Sequence, residues 1–159
     1  MRHLRFTILS LILALAAPAV LDPAPAAAEP TLFGLRGGLT DDPDTVFLGG
    51  HVAFYPTDLR RLRIEPSFEL GFGEDAIDFT LRGNLNFKIM FPVSNDAAFY
   101  PLLGAYMYYL SFDDCDDCDD TEFGLNLGAG FSFSGIGIDF AVGLPDYPDF
   151  TFTLSYTFW

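Results

Sequence analysis

The sequence predicts an all-β protein, an eight-stranded antiparallel up-and-down transmembrane β-barrel that follows an N-terminal leader. Three observations lead to this fold class. The N-terminus has the pattern of a secretory signal, most of the remaining chain alternates apolar and polar residues with a period of two, and short turn-forming segments separate the alternating runs. Because these connections are short, neighbouring runs are expected to pair as hairpins.

The leader has the three parts of a secretory signal peptide. Two arginines precede an apolar run, and a Pro/Ala-rich stretch then ends in the small residues Ala26, Ala27 and Ala28. The alternative is a transmembrane anchor, but the run is too short and too diluted by Pro and Ala for the about 20 residues that a spanning helix needs. We therefore expect residues 1–28 to be a signal peptide and residues 29–159 to form the barrel.

The rest of the chain contains eight runs of alternating polarity, which we interpret as strands. They are separated by segments rich in Asp, Pro, Gly, Ser and Asn, which favour turns. The predicted strands span 31–40, 46–56, 62–72, 77–91, 98–112, 122–133, 136–144 and 150–159.

The polar face of these strands carries both signs of charge. We assign to it Arg36, His51, Arg63, Glu65, Glu69, Asp78, Arg82, Lys88, Glu122 and Asp139. This face is nearly balanced in charge, whereas the whole chain has 8 basic and 22 acidic residues and a net charge of −14. Charges that lie in a desolvated interior need partners of opposite sign. The balance therefore favours a barrel with its polar face inward over a soluble lipocalin-like barrel, which has an apolar interior.

The strongly acidic composition also limits the partners. Nucleic-acid binding requires a basic face, which this chain lacks, so we expect no nucleic-acid partner. A negative charge of this size suits surroundings that are rich in cations.

The last predicted strand ends in alternating aromatic residues. Tyr156 and Phe158 lie on its apolar face, and Trp159 follows them. This ending is similar to the assembly signal of bacterial outer-membrane barrels. Together with the two-residue periodicity, it makes residues 29–159 resemble the small eight-stranded barrels of the OmpA transmembrane-domain and OmpX type.

The resemblance implies a location in the bacterial outer membrane, after signal-peptide cleavage. It further implies insertion by the barrel assembly machinery, contact with outer-membrane lipid and lipopolysaccharide, and a monomeric state. Both chain ends would then lie on the periplasmic side. The connections 41–45, 73–76, 113–121 and 145–149 would face outward, and all of their charged residues are acidic.

One of these connections, Asp113–Asp120, contains both cysteines of the chain. In an oxidising compartment, a local disulfide between Cys115 and Cys118 is expected, with a redox Cys-x-x-Cys site as the alternative. The aspartates of this loop offer the oxygen ligands that Ca²⁺ or Mg²⁺ prefers, although their spacing is not that of an EF-hand. A solvated acidic loop without a bound ion remains the alternative. The candidate ligands are Asp113, Asp114, Asp116, Asp117, Asp119 and Asp120.

The sequence does not favour catalysis or free conduction. Lipid-modifying barrels need a nucleophile beside a base, but His51 is predicted to point into the lumen with no serine within two positions. Eight strands enclose an interior that side chains can fill. We expect no enzyme and no cofactor, apart from the candidate Ca²⁺ or Mg²⁺ of the loop. The predicted function is structural or surface-interacting, with a narrow cation-selective pore or a cation-binding surface protein as the alternative and a lipid A-modifying enzyme as a third.

Overall fold

The computed structural model describes residues 31–41, 44–56, 59, 61–73, 77–112, 120–144 and 148–158, with backbone only at 77, 78 and 112. Within these ranges the regular structure is entirely β. The strands are β1 (Leu32–Asp41), β2 (Thr45–Ala53), β3 (Leu62–Gly73), β4 (Ile77–Ile89), β5 (Phe91–Pro92), β6 (Ala97–Phe112), β7 (Asp120–Phe133), β8 (Ile136–Leu144) and β9 (Phe150–Phe158). No helix in the described part of the chain is long and apolar enough to cross a membrane.

The strands form a closed barrel. Consecutive strands pair as antiparallel neighbours from β1 to β4, and β6 to β9 do the same. Two further antiparallel pairs, β1 with β9 and β4 with β6, join these halves. The two-residue β5 continues the line of β4 beyond Met90 and pairs with β6. When β4 and β5 are counted together as one strand of the wall, the barrel wall has eight strands, which we call staves. The predicted fold class is confirmed.

Closure matters because a bilayer offers no hydrogen-bond partner to an open sheet edge. In this barrel the pairing of β1 with β9 runs from Phe33 opposite Phe158 to Asp41 opposite Phe150. The β4–β6 pair is longer and has one irregularity, between Ile77 and Phe79. The ladder therefore continues around the whole barrel.

Burial alternates along the strands in the opposite sense to that of a soluble barrel. In β9, Thr151, Thr153, Ser155 and Thr157 are buried, whereas Leu154 and the other residues of its face point outward. The same inversion holds in β1 and β2, where Leu48 is 68% exposed. A large apolar surface of this kind would aggregate in water but suits lipid. The lipocalin-like alternative is therefore excluded.

The observed strands lie within one or two residues of most predicted runs and differ more clearly in two places. The run 46–56 was too long, because regular pairing of β2 stops at Ala53 and only an isolated bridge joins Phe54 to Ile64. Pro56 follows shortly and has no N–H for the ladder. The run 77–91 is interrupted at Met90, whose N–H donates instead to the carbonyl of Arg61 at 2.7 Å.

β6 contributes more buried apolar and aromatic side chains to the interior than any other strand. The inward residues of β6 include Tyr100, Leu102, Tyr106, Tyr108 and Leu110, and all five are buried. Because β6 pairs with β4, these side chains lie next to the charged residues of β4. The interior is therefore a packed core of mixed polarity.

Candidate functional site

The candidate site is a network of charged side chains that crosses the lumen. β3 carries three of them, Arg63, Glu65 and Glu69, which share its inward face because alternate residues of a strand point the same way. Arg82 and Lys88 occupy the inward face of β4, the next stave. The buried charged residues are Arg36, Arg63, Glu65, Glu69, Arg82, Lys88 and Asp139.

Glu65 is the first centre of the network. Its carboxylate lies 2.7 Å from Nη2 of Arg63, 2.8 Å from Nζ of Lys88 and 3.5 Å from Nη1 of Arg36. The side chain is almost completely shielded from solvent. Three cations on three strands thus surround one carboxylate, which compensates for the loss of its hydration.

Glu69 is the second centre, two inward positions further along β3, with Ser67 between. Its Oε1 lies 2.8 Å from Nε of Arg36, and both Nε and Nη2 of Arg82 contact its Oε2. Asn84 donates to Oε1 at 3.1 Å, so both carboxylate oxygens are satisfied. Since Arg36 contacts both glutamates, it couples the two centres.

Asp139 extends the network to the far side of the lumen. Its Oδ2 lies 2.9 Å from Nζ of Lys88, and its Oδ1 accepts from the hydroxyl of Tyr100 at 2.6 Å. The ammonium of Lys88 also lies 4.9 Å from the centre of the Tyr100 ring, within reach of a cation–π interaction. Ion pairs and hydrogen bonds therefore link β1, β3, β4, β6 and β8.

Threonines of β9 complete the hydrogen bonding of the arginines. Thr151 accepts from Arg82 at 3.0 Å, Thr153 from Arg36 at 3.4 Å, and Thr157 from Arg63 at 3.0 Å. Alternation puts these threonines on the polar face of the last predicted strand, opposite Tyr156 and Phe158, but the sequence does not single them out as partners of the arginines. Their spacing of two residues along β9 was the signal that could have identified them as a row of acceptors.

His51 lies within the lumen, as predicted, and not on the lipid side. Its Nε2 is 3.0 Å from the hydroxyl of Thr157 and 3.5 Å from Nη2 of Arg63. The ring fits because Gly34 faces it: a Cβ at that position would overlap the imidazole. The histidine is therefore packed into the network, with its hydroxyl partner also bound to a guanidinium.

For two further predicted members of the network, Glu122 and Asp78, no ion pair is described here. Glu122 is half-buried on β7, where Tyr108 separates it from Arg82 in the strand register. The side chain of Asp78 lies outside the described residues.

Several other predicted features also fall outside the described residues. They are the signal peptide, Trp159, Cys115, Cys118, Asp113, Asp114, Asp116, Asp117 and Asp119. The cleavage, disulfide and cation-binding hypotheses accordingly remain predictions. Asp120 is described and exposed, and no group of three metal-ligating side chains occurs among the described residues. Tyr156 and Phe158 lie on the outward face of β9, with their rings in edge contact.

The two ends of the lumen differ in the space that they leave. A cavity of about 290 Å³ opens at the end where the turn Ser134–Gly135 lies, and Arg63 and Lys88 are among its lining residues. At the other end, Thr40, Thr45, Phe47, Arg82 and Tyr108 pack closely together, with the guanidinium of Arg82 4.8 Å from the centre of the Phe47 ring. The lumen is thus closed at the end near Thr40 and Thr45 and open at the end near Ser134–Gly135.

The chain has the architecture of the small eight-stranded outer-membrane barrels. Its eight staves close completely, its exterior is apolar and its lumen is charge-paired. No protein-family model and no curated protein matches the chain.

Solved structures of one protein are similar in fold. Ail, a Yersinia pestis outer membrane protein, in a phospholipid bilayer nanodisc is 17% identical, with a TM-score of 0.47, over 81% of this chain and 100% of that one. The crystal structure of Ail, the attachment invasion locus protein, is 18% identical, with a TM-score of 0.47, over 80% and 95%. Its complex with the heparin analogue sucrose octasulfate has a TM-score of 0.45 at 18% identity, over the same shares.

Proposed function

We propose that this protein is a non-conducting barrel of the bacterial outer membrane, with a structural or surface-interacting role. The observation that carries the proposal is the network Arg82–Glu69–Arg36–Glu65–Lys88–Asp139, which crosses the lumen through direct contacts. An ion that passed through would have to break these pairs in a desolvated interior, where a separated charge is costly. The barrel then acts as a rigid support for its loops.

The apolar exterior supports the membrane location. Outward-facing Phe, Leu, Ile and Val residues occur on the described staves around the barrel, including Phe33, Leu48, Phe68, Leu127 and Phe140. So many outward apolar side chains suit contact with acyl chains. We therefore propose as partners outer-membrane lipid, lipopolysaccharide and the barrel assembly machinery. We propose a monomer, without catalytic activity.

The acidic rim supports a role at the surface. Asp41, Asp44, Asp120 and Asp149 are exposed and lie at the same end of the barrel, next to the hairpin connections. The exposed Arg61 lies at the opposite end. An acidic rim of this kind suits bridging by divalent cations to anionic neighbours, and Ca²⁺ or Mg²⁺ at Asp113–Asp120 would extend it.

Planar-bilayer recording of the refolded barrel tests the proposal. Wild-type protein should insert without steady current, whereas the charge-neutral double variant R36A/E69A should conduct, because it removes the link between the two glutamate centres. Insertion of both proteins is verified by their altered migration on unheated detergent gels. Steady current through the wild type would instead favour the narrow cation-selective pore.

Calorimetry with Ca²⁺ tests the loop hypothesis separately. Binding by the wild type that disappears when the aspartates of 113–120 are changed to Asn would support a cation site. Equal heat in both proteins would leave the loop as a solvated acidic segment.

A further inference from the structure

We propose that the open end of the lumen is a binding site for a small oxyanion of the phosphate class, held by Arg63 with Lys88 beside it. The site is the cavity of about 290 Å³ near the turn Ser134–Gly135. It lies outside the network contacts that close the lumen, so the inference does not depend on whether the barrel conducts.

The charge around this cavity is unbalanced. Among the buried side chains that the structure describes, four are basic (Arg36, Arg63, Arg82 and Lys88) and three are acidic. The half-buried Glu122 lies at the level of Arg82, away from the cavity. The cavity lining itself contains two basic residues, Arg63 and Lys88, and one acidic residue, Asp96, so an anion can offset its net positive charge.

Two cations lie directly opposite each other at the cavity floor. Arg63 and Lys88 are register partners in the β3–β4 pair, and both line the cavity. Like charges in this position repel each other. Lys88 has two acidic partners, Glu65 and Asp139, whereas Glu65 is the one carboxylate among the described residues that contacts Arg63, and it is shared with Arg36. An anion on the cavity side would give Arg63 a second acidic partner and reduce the repulsion.

Arg63 has unused hydrogen-bonding capacity. Its Nη2 contacts Glu65, Thr157 and His51. The guanidinium also hydrogen-bonds with the side chain of Tyr55, and only its buried Nε has no hydrogen-bond partner among the described residues. A buried donor without a partner is costly, and a planar guanidinium suits the geometry of oxyanions. The free donor is therefore a reason for Arg63 to take an additional acceptor from the cavity.

The rest of the lining suits an anion with its hydration water. The hydroxyl residues Ser132, Ser155 and Thr157 contribute to the wall, and Asn95 and Ser94 lie at the mouth. The volume is several times the about 30 Å³ that one water occupies in the liquid, so a phosphate and bridging waters fit together. Asp96 is the one acidic residue of the lining, and it is exposed.

Titration calorimetry of the refolded barrel with inorganic phosphate, at low ionic strength, tests the site. Wild type should bind, and R63Q should bind about tenfold more weakly or not at all, because a charge-assisted contact is lost. R61Q is the matched control: it removes the same charge at the same end, but Arg61 is exposed and does not line the cavity. R61Q should retain the wild-type affinity to within about threefold, since exposed charges act weakly through solvent.

Two further variants keep the test independent of the folding of R63Q. Ala98 lines the cavity, so A98F should fill it and weaken binding while every charge remains. D96N removes the acidic residue at the mouth and should strengthen binding. No phosphate binding by the wild type, equal binding by A98F, or weaker binding by D96N would overturn the proposal. Equal loss in R61Q and R63Q would also overturn it, because it would indicate general attraction to the rim.

Discussion

Lys88 and Asp139 form an ion pair of 2.9 Å between β4 and β8, two staves that are not neighbours in the sheet. The pair therefore spans the lumen instead of joining adjacent strands. Because Lys88 also contacts Glu65 at 2.8 Å, it holds carboxylates of β3 and β8 together. Removing the Lys88 side chain would break this link between β3 and β8, which are not joined by backbone hydrogen bonds.

Lys88→Met is expected to destabilise the barrel by about 3–5 kcal/mol, since it leaves the buried Asp139 without its cationic partner. Urea unfolding in lipid vesicles measures the change. The double variant K88M/D139N should be more stable than K88M alone, because it removes the stranded charge as well. The single variant D139N completes the cycle. If the effects of K88M and D139N on the free energy of unfolding simply added up in the double variant, the lumen-spanning pair would make no contribution to stability.

Arg82→Ala should likewise cost far more stability than Arg61→Ala. Arg82 is buried, pairs with Glu69 and donates to Thr151, whereas Arg61 is exposed in a turn. Breaking a buried pair costs about 3–5 kcal/mol, and an exposed charge contributes roughly 0–1 kcal/mol. Equal shifts of the urea midpoint for the two variants would contradict the burial of this network.

Much of the barrel could be predicted because the alternation of side chains between the two faces of a strand is a local property of the sequence. The alternation in β3, β4 and β9 assigns each side chain to a face, and a one-residue error would reverse the whole strand. The positions of Arg63, Arg82 and Lys88 on the inward face follow directly from this period. The closure of the sheet follows from short connections and from the need to pair every edge.

The sequence could not assign the faces of β6, and this limited the description of the site. Both of its faces are apolar or aromatic, so alternation does not distinguish Tyr100 and Tyr108, which point inward, from Phe99 and Leu103, which point outward. The role of Tyr100 as a donor to Asp139 was therefore missed. The choice depends on pairing with β4 and β7, which is a tertiary property.

The cavity was also beyond the reach of the sequence. Periodicity shows which residues face the lumen, but not how far a side chain such as Arg63 or Lys88 extends along it. The space near Ser134–Gly135 exists because the long side chains converge on Glu65 and leave small residues at that end. Such packing depends on side-chain conformations on several strands.

Leu154→Arg should impair folding into lipid, because Leu154 lies on the outward face in the middle of β9 and is 51% exposed. A charge on the lipid face near the bilayer midplane costs about 2–4 kcal/mol. Folding yield in vesicles, read from unheated gels, measures the effect. Leu154→Phe is the control and should fold normally; normal folding of Leu154→Arg would contradict the assignment of this face to lipid.

The turn between β7 and β8 supplies a test of backbone geometry that involves no charged residue. Ser134 and Gly135 both have positive φ, 50° and 86°, the combination required by a type I′ hairpin turn. The turn is also tied to its neighbours: the N–H of Ser134 donates to the carbonyl of Asp96 at 2.9 Å, and the carbonyl of Gly135 accepts from the N–H of Thr157 at 2.8 Å.

Gly135→Ala should destabilise the barrel by about 1–2 kcal/mol, because a residue with a side chain is disfavoured in the left-handed region. Ser134→Asn should instead stabilise it by several tenths of a kcal/mol, since asparagine tolerates that region better than serine. Urea unfolding in vesicles compares both variants with the wild type. A change of the same sign in both would show that the turn does not adopt this backbone conformation in the folded barrel.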